Sequence, residues 1–422
     1  MGRKKQIIII GGGFAGLNAA KSLRKADADV TIIDRLNHHL FQPLLYQIAA
    51  AALSPANIAS PLREVLRSQK NAYVVMKDVV SINKEGRKVT ASDGTSYDYD
   101  YLIVAPGASH AYFGHDEWEK FAPGLKTIED AITIREKILT AFENAEVCPD
   151  PELEKAFMRF VIVGGGPTGV ELAGAIAEIA TKSLSKDFRH INPAQSEILL
   201  IEGCSQVLPS YPKKLADSAH KDLEKLGVKV MTDTFVTDIK ENGIYIGEKF
   251  IPTATIIWAA GNQASPLLKT LDAALDKQGR VIVGKDLTIP DYPDIFVIGD
   301  AAHVLNSKGE ILPGIAPVAI QQGRYVAKII LKGSEPLKRK PFSYFDKGMM
   351  ATIGSGKAVA AMGKIQISGF FAWLAWGLIH IFYLIGFQNR TFVLLHWFYL
   401  YLVGTRQVRL ITRFENLKDK RQ

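Results

Sequence analysis

The sequence predicts an α/β protein in which one strand–turn–helix unit occurs twice and a helical, aromatic-rich segment closes the chain. Three observations carry that prediction. Gln6-Ile7-Ile8-Ile9-Ile10 runs into Gly11-Gly12-Gly13-Phe14-Ala15-Gly16, and the pattern returns 153 residues later as Phe160-Val161-Ile162-Val163 before Gly164-Gly165-Gly166-Pro167-Thr168-Gly169. Each copy continues through an Ala/Leu-rich stretch to a second apolar strand that ends in an acid, Val30-Thr31-Ile32-Ile33-Asp34 and Ile198-Leu199-Leu200-Ile201-Glu202. A repeat of domain length is a duplication, not a solenoid period. The third observation is a change of texture after Gly354, where residues 365–389 hold no Asp, Glu, Lys or Arg.

Composition bounds the reading. With 422 residues the chain has room for two or three domains, and 47% hydrophobic against 22% charged residues excludes wholesale disorder. Two cysteines cannot build a disulfide framework, and without a C-x-x-C or Cys/His cluster no metal site is expected. Met1-Gly2-Arg3-Lys4-Lys5 leads straight into the first strand with no signal-peptide core, so the bulk of the chain has cytosolic character. The net charge of +8 is concentrated: residues 341–422 carry ten Lys/Arg against Asp346, Glu415 and Asp419. A basic tail suits nucleic acid or anionic lipid. Here the charges flank apolar runs instead of forming a stripe, which argues against nucleic acid.

The glycine spacing has a chemical reason. A pyrophosphate needs backbone N–H donors at close range and the positive end of a helix. Glycines make the turn, admit the phosphates and let helix and strand pack closely, while the acid at the end of the second strand accepts from ribose hydroxyls. Asp34 lies 18 residues after Gly16, close to the expected spacing; Glu202 lies 33 after Gly169, so Lys182–Gln195 reads as an insertion. One Gly-x-Gly-x-x-Gly is weak evidence. Two, each with strand, helix and acid, point to two Rossmann-like dinucleotide-binding domains. Gly299-Asp300, at the end of Ile295-Phe296-Val297-Ile298, supplies a carboxylate that could bind a polyol such as the ribityl chain of FAD. The second copy then takes the nicotinamide cofactor, and Glu202 would repel a 2′-phosphate, favouring NADH over NADPH.

Between the copies, Asp93-Gly94 marks a turn, Tyr101-Leu102-Ile103-Val104-Ala105 a strand, and Val147 to Pro151 a loop. Ala254-Thr255-Ile256-Ile257-Trp258-Ala259-Ala260-Gly261 closes the second copy, and a helix is expected at about 316–332. The expected organisation is 1–112 and 279–345 as two segments of an FAD domain, 113–278 as an NADH domain, and 346–422 as a C-terminal helical membrane-surface domain.

Taken in order along the chain, these motifs resemble the type II NADH:quinone oxidoreductases, within the two-dinucleotide-binding-domain flavoproteins. The residues behind the resemblance are Gly11 to Gly16, Phe41-Gln42-Pro43-Leu44-Leu45-Tyr46-Gln47, Val104-Ala105-Pro106-Gly107, Gly164 to Gly174, Trp258 to Gly261, Val297 to Ala301 and Ala316-Pro317-Val318-Ala319-Ile320-Gln321-Gln322-Gly323. The resemblance implies hydride transfer from NADH to FAD and two electrons passed on to a membrane quinone, without proton pumping. It implies cofactor contacts at Gly11, Gly13, Ala15, Gly16, Asp34, Arg35, Pro43, Leu44, Ala105, Gly107, Gly164, Gly166, Gly169, Glu202, Ala260, Gly261, Gly299, Asp300 and Gln321.

Four residues are candidates for catalysis. In the family a motif after the Gly-Asp strand lines the quinone site; Gln321 and Gln322 match it, while Pro317 stands where the family has a Gln and offers no amide. The bland alternative is that Ala316–Gly323 only begins a helix. Glu171 reads from position as a helix N-terminal acid complementing the dipole, and from the resemblance as a proton-relay or nucleotide-adjacent carboxylate; partial shielding by a flavin would raise its pKa. Lys357 is either a solvated cation or a partner for flavin or quinone oxygen.

Disulfide reductases of this architecture need a redox cysteine pair beside the flavin. Cys148 and Cys204 lie apart from the Phe41–Leu53 segment where such a pair is expected, so both read as unreactive thiols. That disfavours sulfide:quinone oxidoreductase, the nearest alternative enzyme; a non-catalytic nucleotide-sensing membrane protein is the alternative of another class. The uncharged span is long enough to cross a bilayer, but Gly369, Gly377, His380 and Gly386 interrupt it and Phe370, Phe371, Trp373, Trp376, Tyr383 and Phe387 crowd it. Aromatics favour the headgroup level. Interfacial insertion anchored by Arg390, Arg406, Arg409 and Arg413 on an anionic surface, a transmembrane hairpin, and a buried core or homodimer interface all remain open. His380 is the one group in the span expected to charge. The resemblance implies a monotopic protein on the cytoplasmic face of the inner or plasma membrane.

Overall fold

A computed structural model describes residues 3–403, 406 and 408–411. The chain packs as two units: one from the described parts of Met1–Leu40, Ala59–Ser109 and Asn262–Lys347, the other from Phe41–Ile58, His110–Gly261 and the described parts of Gly348–Gln422.

In the first unit the strand Lys5–Ile10 lies between Ala28–Asp34 and Tyr101–Val104, parallel to both. Ala72–Met76 extends the sheet beyond Ala28–Asp34, and Tyr292–Val297 extends it beyond Tyr101–Val104, again in parallel. Thr288–Ile289 adds an antiparallel edge. Ile7, Ile8, Ile9 and Ile10 are all buried, as expected for a strand covered on both faces, and this explains an unbroken apolar run instead of alternation. The order reverses at Lys5–Ile10, and such a switch point is where open α/β sheets bind ligands. Helix Phe14–Ser22 packs against Ala316–Lys332 so closely that a Cβ on Gly323 would collide with the Ala15 carbonyl. Asp93-Gly94 does turn a hairpin, between Lys88–Ala91 and Ser96–Asp98, with Gly94 at φ +82.

The second unit repeats the plan with four parallel strands in the order Val228–Met231, Glu197–Ile201, Arg159–Val163, Thr255–Trp258. Helix Pro167–Glu178 follows the glycine turn and passes into a π-helical turn at Ile179–Ser183. That turn opens the inserted crossover expected from spacing. Thr127 caps helix Ile128–Glu146 in a capping box with Asp130, an arrangement worth about 1 kcal/mol. The stretch expected as a loop at 147–151 gives way to a further helix, Pro151–Phe157, started by Asp150 as N-cap and by Pro151 where a missing N–H costs nothing.

The C-terminal segment does not stand apart as a domain. Its antiparallel strands Met349–Thr352, Ala358–Met362 and Ile365–Gly369 belong with the second unit, where Gly174 of the fingerprint helix is so near the main chain at Ile353–Gly354 that a Cβ would press on it. The uncharged span is not one helix either. Ile365–Gly369 is a strand, and two helices, Phe370–Tyr383 and Phe387–Val403, are separated by a break at Gly386 (φ +87). At 1.5 Å per residue, 14 and 17 residues give roughly 21 and 26 Å, short of a ~30 Å hydrocarbon core. Among the described residues no helix is long and apolar enough to cross a membrane.

Candidate functional site

The first unit holds the first cradle. Gly11 adopts φ +97 at the strand end, and a Cβ there would strike the Ala105 carbonyl; a Cβ on Gly16 would strike the Gly11 carbonyl. Gly13 is different. It is the N-cap of Phe14–Ser22, has no side-chain cap and no first-turn acid, and a Cβ would enter open space. The helix N-terminus therefore presents bare N–H groups to a space left clear for an anion. Asp34 holds the loop, accepting from Gly12 N at 2.5 Å and Leu36 N at 2.7 Å. His39 steadies it from beneath, its Nδ1 bonded to Gly12 O at 3.0 Å; burial lowers its pKa to about 4, so it bonds as a neutral donor.

Past the end of strand Tyr292–Val297, Asp300 lies against Gly314 and accepts no hydrogen bond from the described residues. An acceptor left free beside a bare helix N-terminus suits a polyol joined to a pyrophosphate, and these residues fit FAD. Gln322, 1% exposed, accepts at its Oε1 from Gly299 N at 2.6 Å and so shapes the Gly-Asp turn. Gln321 makes a reciprocal pair with Phe345, Nε2 to O at 2.9 Å and Oε1 from N at 3.0 Å. Both glutamines are thus engaged by main chain within the unit. Pro317 falls in the first turn of Ala316–Lys332, where its lack of an N–H is harmless.

The second cradle, in the second unit, repeats the geometry. Gly164 has φ +108, a Cβ on Gly169 would strike the Gly164 carbonyl, and Gly166 again caps a helix with open space at its Cβ. Glu202 accepts from Gly165 N at 2.6 Å and from Cys204 N at 2.7 Å, the counterpart of Asp34. Gly261 (φ +76) ends the fourth strand, and the ring of Phe113, itself left-handed at φ +54, lies over it. The thiol of Cys204 rests against Glu202, which raises its pKa; Cys148 Sγ donates to Asp150 O at 3.4 Å. Cys204 is therefore not poised as a thiolate.

Glu171, on helix Pro167–Glu178, opens into a cavity of about 70 Å³ lined also by Tyr46, Gln47, Thr352, Trp376, Trp397 and Arg406. That is room for about two waters. Burial pushes the Glu171 carboxyl up to about 8, opposed only by a hydrogen bond from the Thr352 main chain, so it carries its proton at neutral pH. A chain of polar contacts forms one wall. Trp397 Nε1 donates to Gln47 Oε1 at 2.7 Å, Gln47 Nε2 donates to Tyr46 OH at 3.0 Å, and Tyr46 OH meets Thr352 Oγ1 at 3.0 Å. Trp376, 2% exposed, keeps an indole N–H with no acceptor among the described residues.

Two expectations about the tail change here. Arg406 is no surface anchor: it is 9% exposed, donates to Ala50 O at 2.5 Å and pairs with Glu178 at 3.1 Å. Glu178 also accepts from Lys182, Ser355 N and Ser355 Oγ, and although burial pushes its pKa up, these partners bring it below the ordinary value. His380, expected to charge, is held neutral by burial with a pKa of about 4 and is bonded to Trp376 O. Arg409 pairs with Asp187, and Arg390 caps the Phe382 and Leu384 carbonyls; Arg413 lies outside the described residues. Lys357 is engaged by Asp222 at 3.0 Å and does not line the Glu171 cavity. Pro43 and Leu44 form a short turn leading into Leu45–Ala49, the helix that carries Tyr46 and Gln47.

Sequence reasoning missed His39, Thr352, Trp376, Trp397 and the Glu178–Arg406 pair, and it quoted Tyr46 and Gln47 without giving them a role. The sole sequence signal for the last two was their place in the Phe41–Gln47 motif.

The pattern of the pyridine nucleotide-disulphide oxidoreductase family matches residues 5–323. The chain is 45% identical to a type II NADH:quinone oxidoreductase of Mycobacterium tuberculosis, over 97% of this chain and 91% of the relative. A type II NADH:quinone oxidoreductase of Staphylococcus haemolyticus is 28% identical over 87% of this chain and 92% of its own. Among solved structures, NDH2 from Plasmodium falciparum in complex with NADH superposes with a TM-score of 0.87 at 22% identity, covering 97% of this chain and all of that one. The sulfide:quinone oxidoreductase of Aquifex aeolicus has the same fold at a TM-score of 0.73 and 18% identity, covering 92% of each chain. Two cradles in one chain and a match at 45% identity over 97% of its length lead to one family: the chain belongs to the type II NADH:quinone oxidoreductases.

Proposed function

We infer that the chain takes electrons from NADH and delivers them to quinone by way of bound FAD. The observation that carries this is the duplicated cradle: two bare helix N-termini behind glycine turns, each closed by an acid, in a chain matched over 97% of its length by a type II NADH:quinone oxidoreductase. FAD, when bound, accepts the electron pair of a hydride and passes two electrons on. Everything else falls to the protein. Gly11 to Gly16 and Asp34 hold one dinucleotide, with Asp300 free for its polyol; Gly164 to Gly169 and Glu202 hold the other.

Forming a quinol consumes two protons, so a proton donor is needed at the quinone end. Glu171 fits that role, carrying its proton at neutral pH beside a cavity of about 70 Å³. Tyr46, Gln47 and Thr352 fix one wall of that cavity. Gln321, Gln322 and Lys357 act as positioning residues in this reading, because main chain and Asp222 engage them.

The two C-terminal helices are the surface we assign to the membrane. Phe371, Leu378, Phe382, Leu395 and Phe398 are all exposed on these two helices, and a cluster of large exposed apolar side chains marks an interaction surface. The lipid face is the cytoplasmic one in this reading, since NADH arrives from that compartment; a second copy of the chain is the other partner able to cover these helices. Anaerobic bleaching of the yellow protein by NADH, reversed by added quinone, tests the activity. Retention on vesicles through a high-salt wash tests the surface, and release by salt alone would refute it.

A further inference from the structure

NADH brings a hydride and a quinol needs two protons, so one proton per turnover comes from the medium. A Glu171 that gives its proton to quinone must recover one from bulk water before it can give again. The turn between strands Met349–Thr352 and Ala358–Met362 shows where that proton enters. It lies along one face of helix Pro167–Glu178. The Thr352 main chain donates to Glu171, and a Cβ on Gly174 would stand 2.9 Å from the Gly354 nitrogen. Ser355 closes on Glu178, its N to Oε1 at 2.8 Å and its Oγ to Oε2 at 3.0 Å. Residues 171, 174 and 178 stand three and four apart, so they share one face and the turn follows it. Gly354 and Gly356, at φ +71 and +77, bend the main chain tightly enough to keep it there.

The 70 Å³ cavity beside Glu171 runs along this track. Tyr46, Thr352 and Trp376 are buried in its walls, whereas Ser355 is exposed. Among the described residues that line the cavity, Ser355 and Tyr401 are the exposed ones. Tyr401 belongs to the aromatic side, stacked on Trp373 at 5.5 Å and carried by a helix we assign to lipid. Ser355 has a polar setting instead: Glu178, its neighbour, also pairs with the half-exposed Lys182. A hydroxyl has one donor and two acceptor positions, and its proton rotates between them. It can accept from water outside while donating to a water in the cavity, which has the volume to hold one.

We propose that Ser355 is the proton entry of this site, its hydroxyl passing protons from bulk water through a cavity water to the Glu171 carboxylate. The hydroxyl gains one proton from outside as it loses one inward, Glu171 ends protonated, and no electron moves. This rests on the reading of Glu171 as the proton donor to quinone. It adds the step that reloads the donor, and it gives Ser355 a role beyond holding Glu178, which its main-chain N–H does without the hydroxyl.

The test follows flavin and protons separately in the FAD-loaded enzyme. NADH-reduced protein is mixed anaerobically with quinone in weak buffer; flavin absorbance reports reoxidation, and a soluble pH indicator reports uptake from the medium. In Ser355→Ala the first reoxidation should stay within about twofold of wild type, since Glu171 already carries its proton, while uptake should slow by ~10-fold or more. Ser355→Thr, which keeps a hydroxyl, should take up protons within about twofold of the wild-type rate. Tyr401→Phe should change neither signal. Uptake in Ser355→Ala that keeps pace with wild type would overturn the proposal, as would a lag in Tyr401→Phe instead. A first reoxidation slowed as much as uptake would also overturn it, being the mark of a hydroxyl that only builds the site. Failure of the underlying reading shows separately: Glu171→Gln reoxidised at wild-type speed would remove the relay before any Ser355 variant is made.

Discussion

Replacing Glu171 by Gln keeps the shape of the side chain and removes its proton. With the carboxyl pushed to about 8, roughly 90% is protonated at pH 7 and roughly 10% at pH 9. If that proton goes to the quinone, reoxidation of reduced enzyme by quinone should slow about ninefold across this interval in the wild type. Glu171→Gln should be slow throughout, by ~100-fold or more at pH 7, the lower end of what a positioned general acid contributes. Bleaching by NADH, which needs no proton from this residue, should change little. Anaerobic stopped-flow absorbance separates the two half-reactions. Equal slowing of both, or an alkaline decline that survives in the variant, would refute the relay. Stability supplies an independent check. A carboxyl whose folded pKa exceeds the ordinary 4.5 binds its proton more tightly in the native state. Between pH 4.5 and 8 the native state therefore holds more protons than the unfolded one, and stability falls as pH rises, by up to ~1.4 kcal/mol per pH unit. Denaturant titrations of the wild type should show this contribution, and those of Glu171→Gln should lack it.

Arg406→Ala strands the buried Glu178 carboxylate and should cost about 3 kcal/mol in a denaturant titration, the low end for a broken buried pair because Lys182 and Ser355 remain. Arg409→Ala, which removes an exposed pair with Asp187, should cost under ~1 kcal/mol, so equal losses would contradict the assignment. Changing Cys148 and Cys204 together to Ser should leave NADH:quinone turnover intact, and its abolition would revive a thiol mechanism. Because both Glu202 oxygens are already engaged, one by Gly165 N of the glycine loop and the other by Cys204 N, a 2′-phosphate would meet a carboxylate that cannot turn away. NADH should be preferred over NADPH by ~100-fold or more in kcat/KM, a few kcal/mol of like-charge repulsion, and similar turnover with both would refute this.

The cradles were legible in the sequence because they are main-chain devices. A turn that brings Gly16 against the Gly11 carbonyl admits no Cβ, so the chemistry writes itself as glycine at fixed spacing, and the acid that ties the loop follows at the next strand end. The Glu171 cavity was not legible, because side chains build it from distant parts of the chain: the Gln47–Trp397 bond spans 350 residues and the Glu178–Arg406 pair 228. No local spacing records such contacts. Arg406 was misread for the same reason. A charge count sees one more cation in a basic tail, and only the fold supplies the carboxylate that draws it inside. The break at Gly386 shows the converse, since a positive φ at a glycine splits a span that hydropathy alone runs together.

Helix Pro167–Glu178 then explains how one element can serve both structure and proton chemistry. Glu171 and Glu178 are two turns apart and both line the cavity, yet their acidities are driven in opposite directions. Burial acts on both alike, so the difference must come from partners. Glu178 has Arg406, Lys182 and Ser355 and stays ionised; Glu171 has one main-chain hydrogen bond and no cation. Because Arg406 is neutralised by Glu178, it has little positive charge left with which to draw the proton off Glu171. One helix thus carries an ionised carboxylate held in an ion pair and a carboxyl that burial keeps neutral and able to donate, and pushing two such groups apart is how a single site holds an acid at neutral pH.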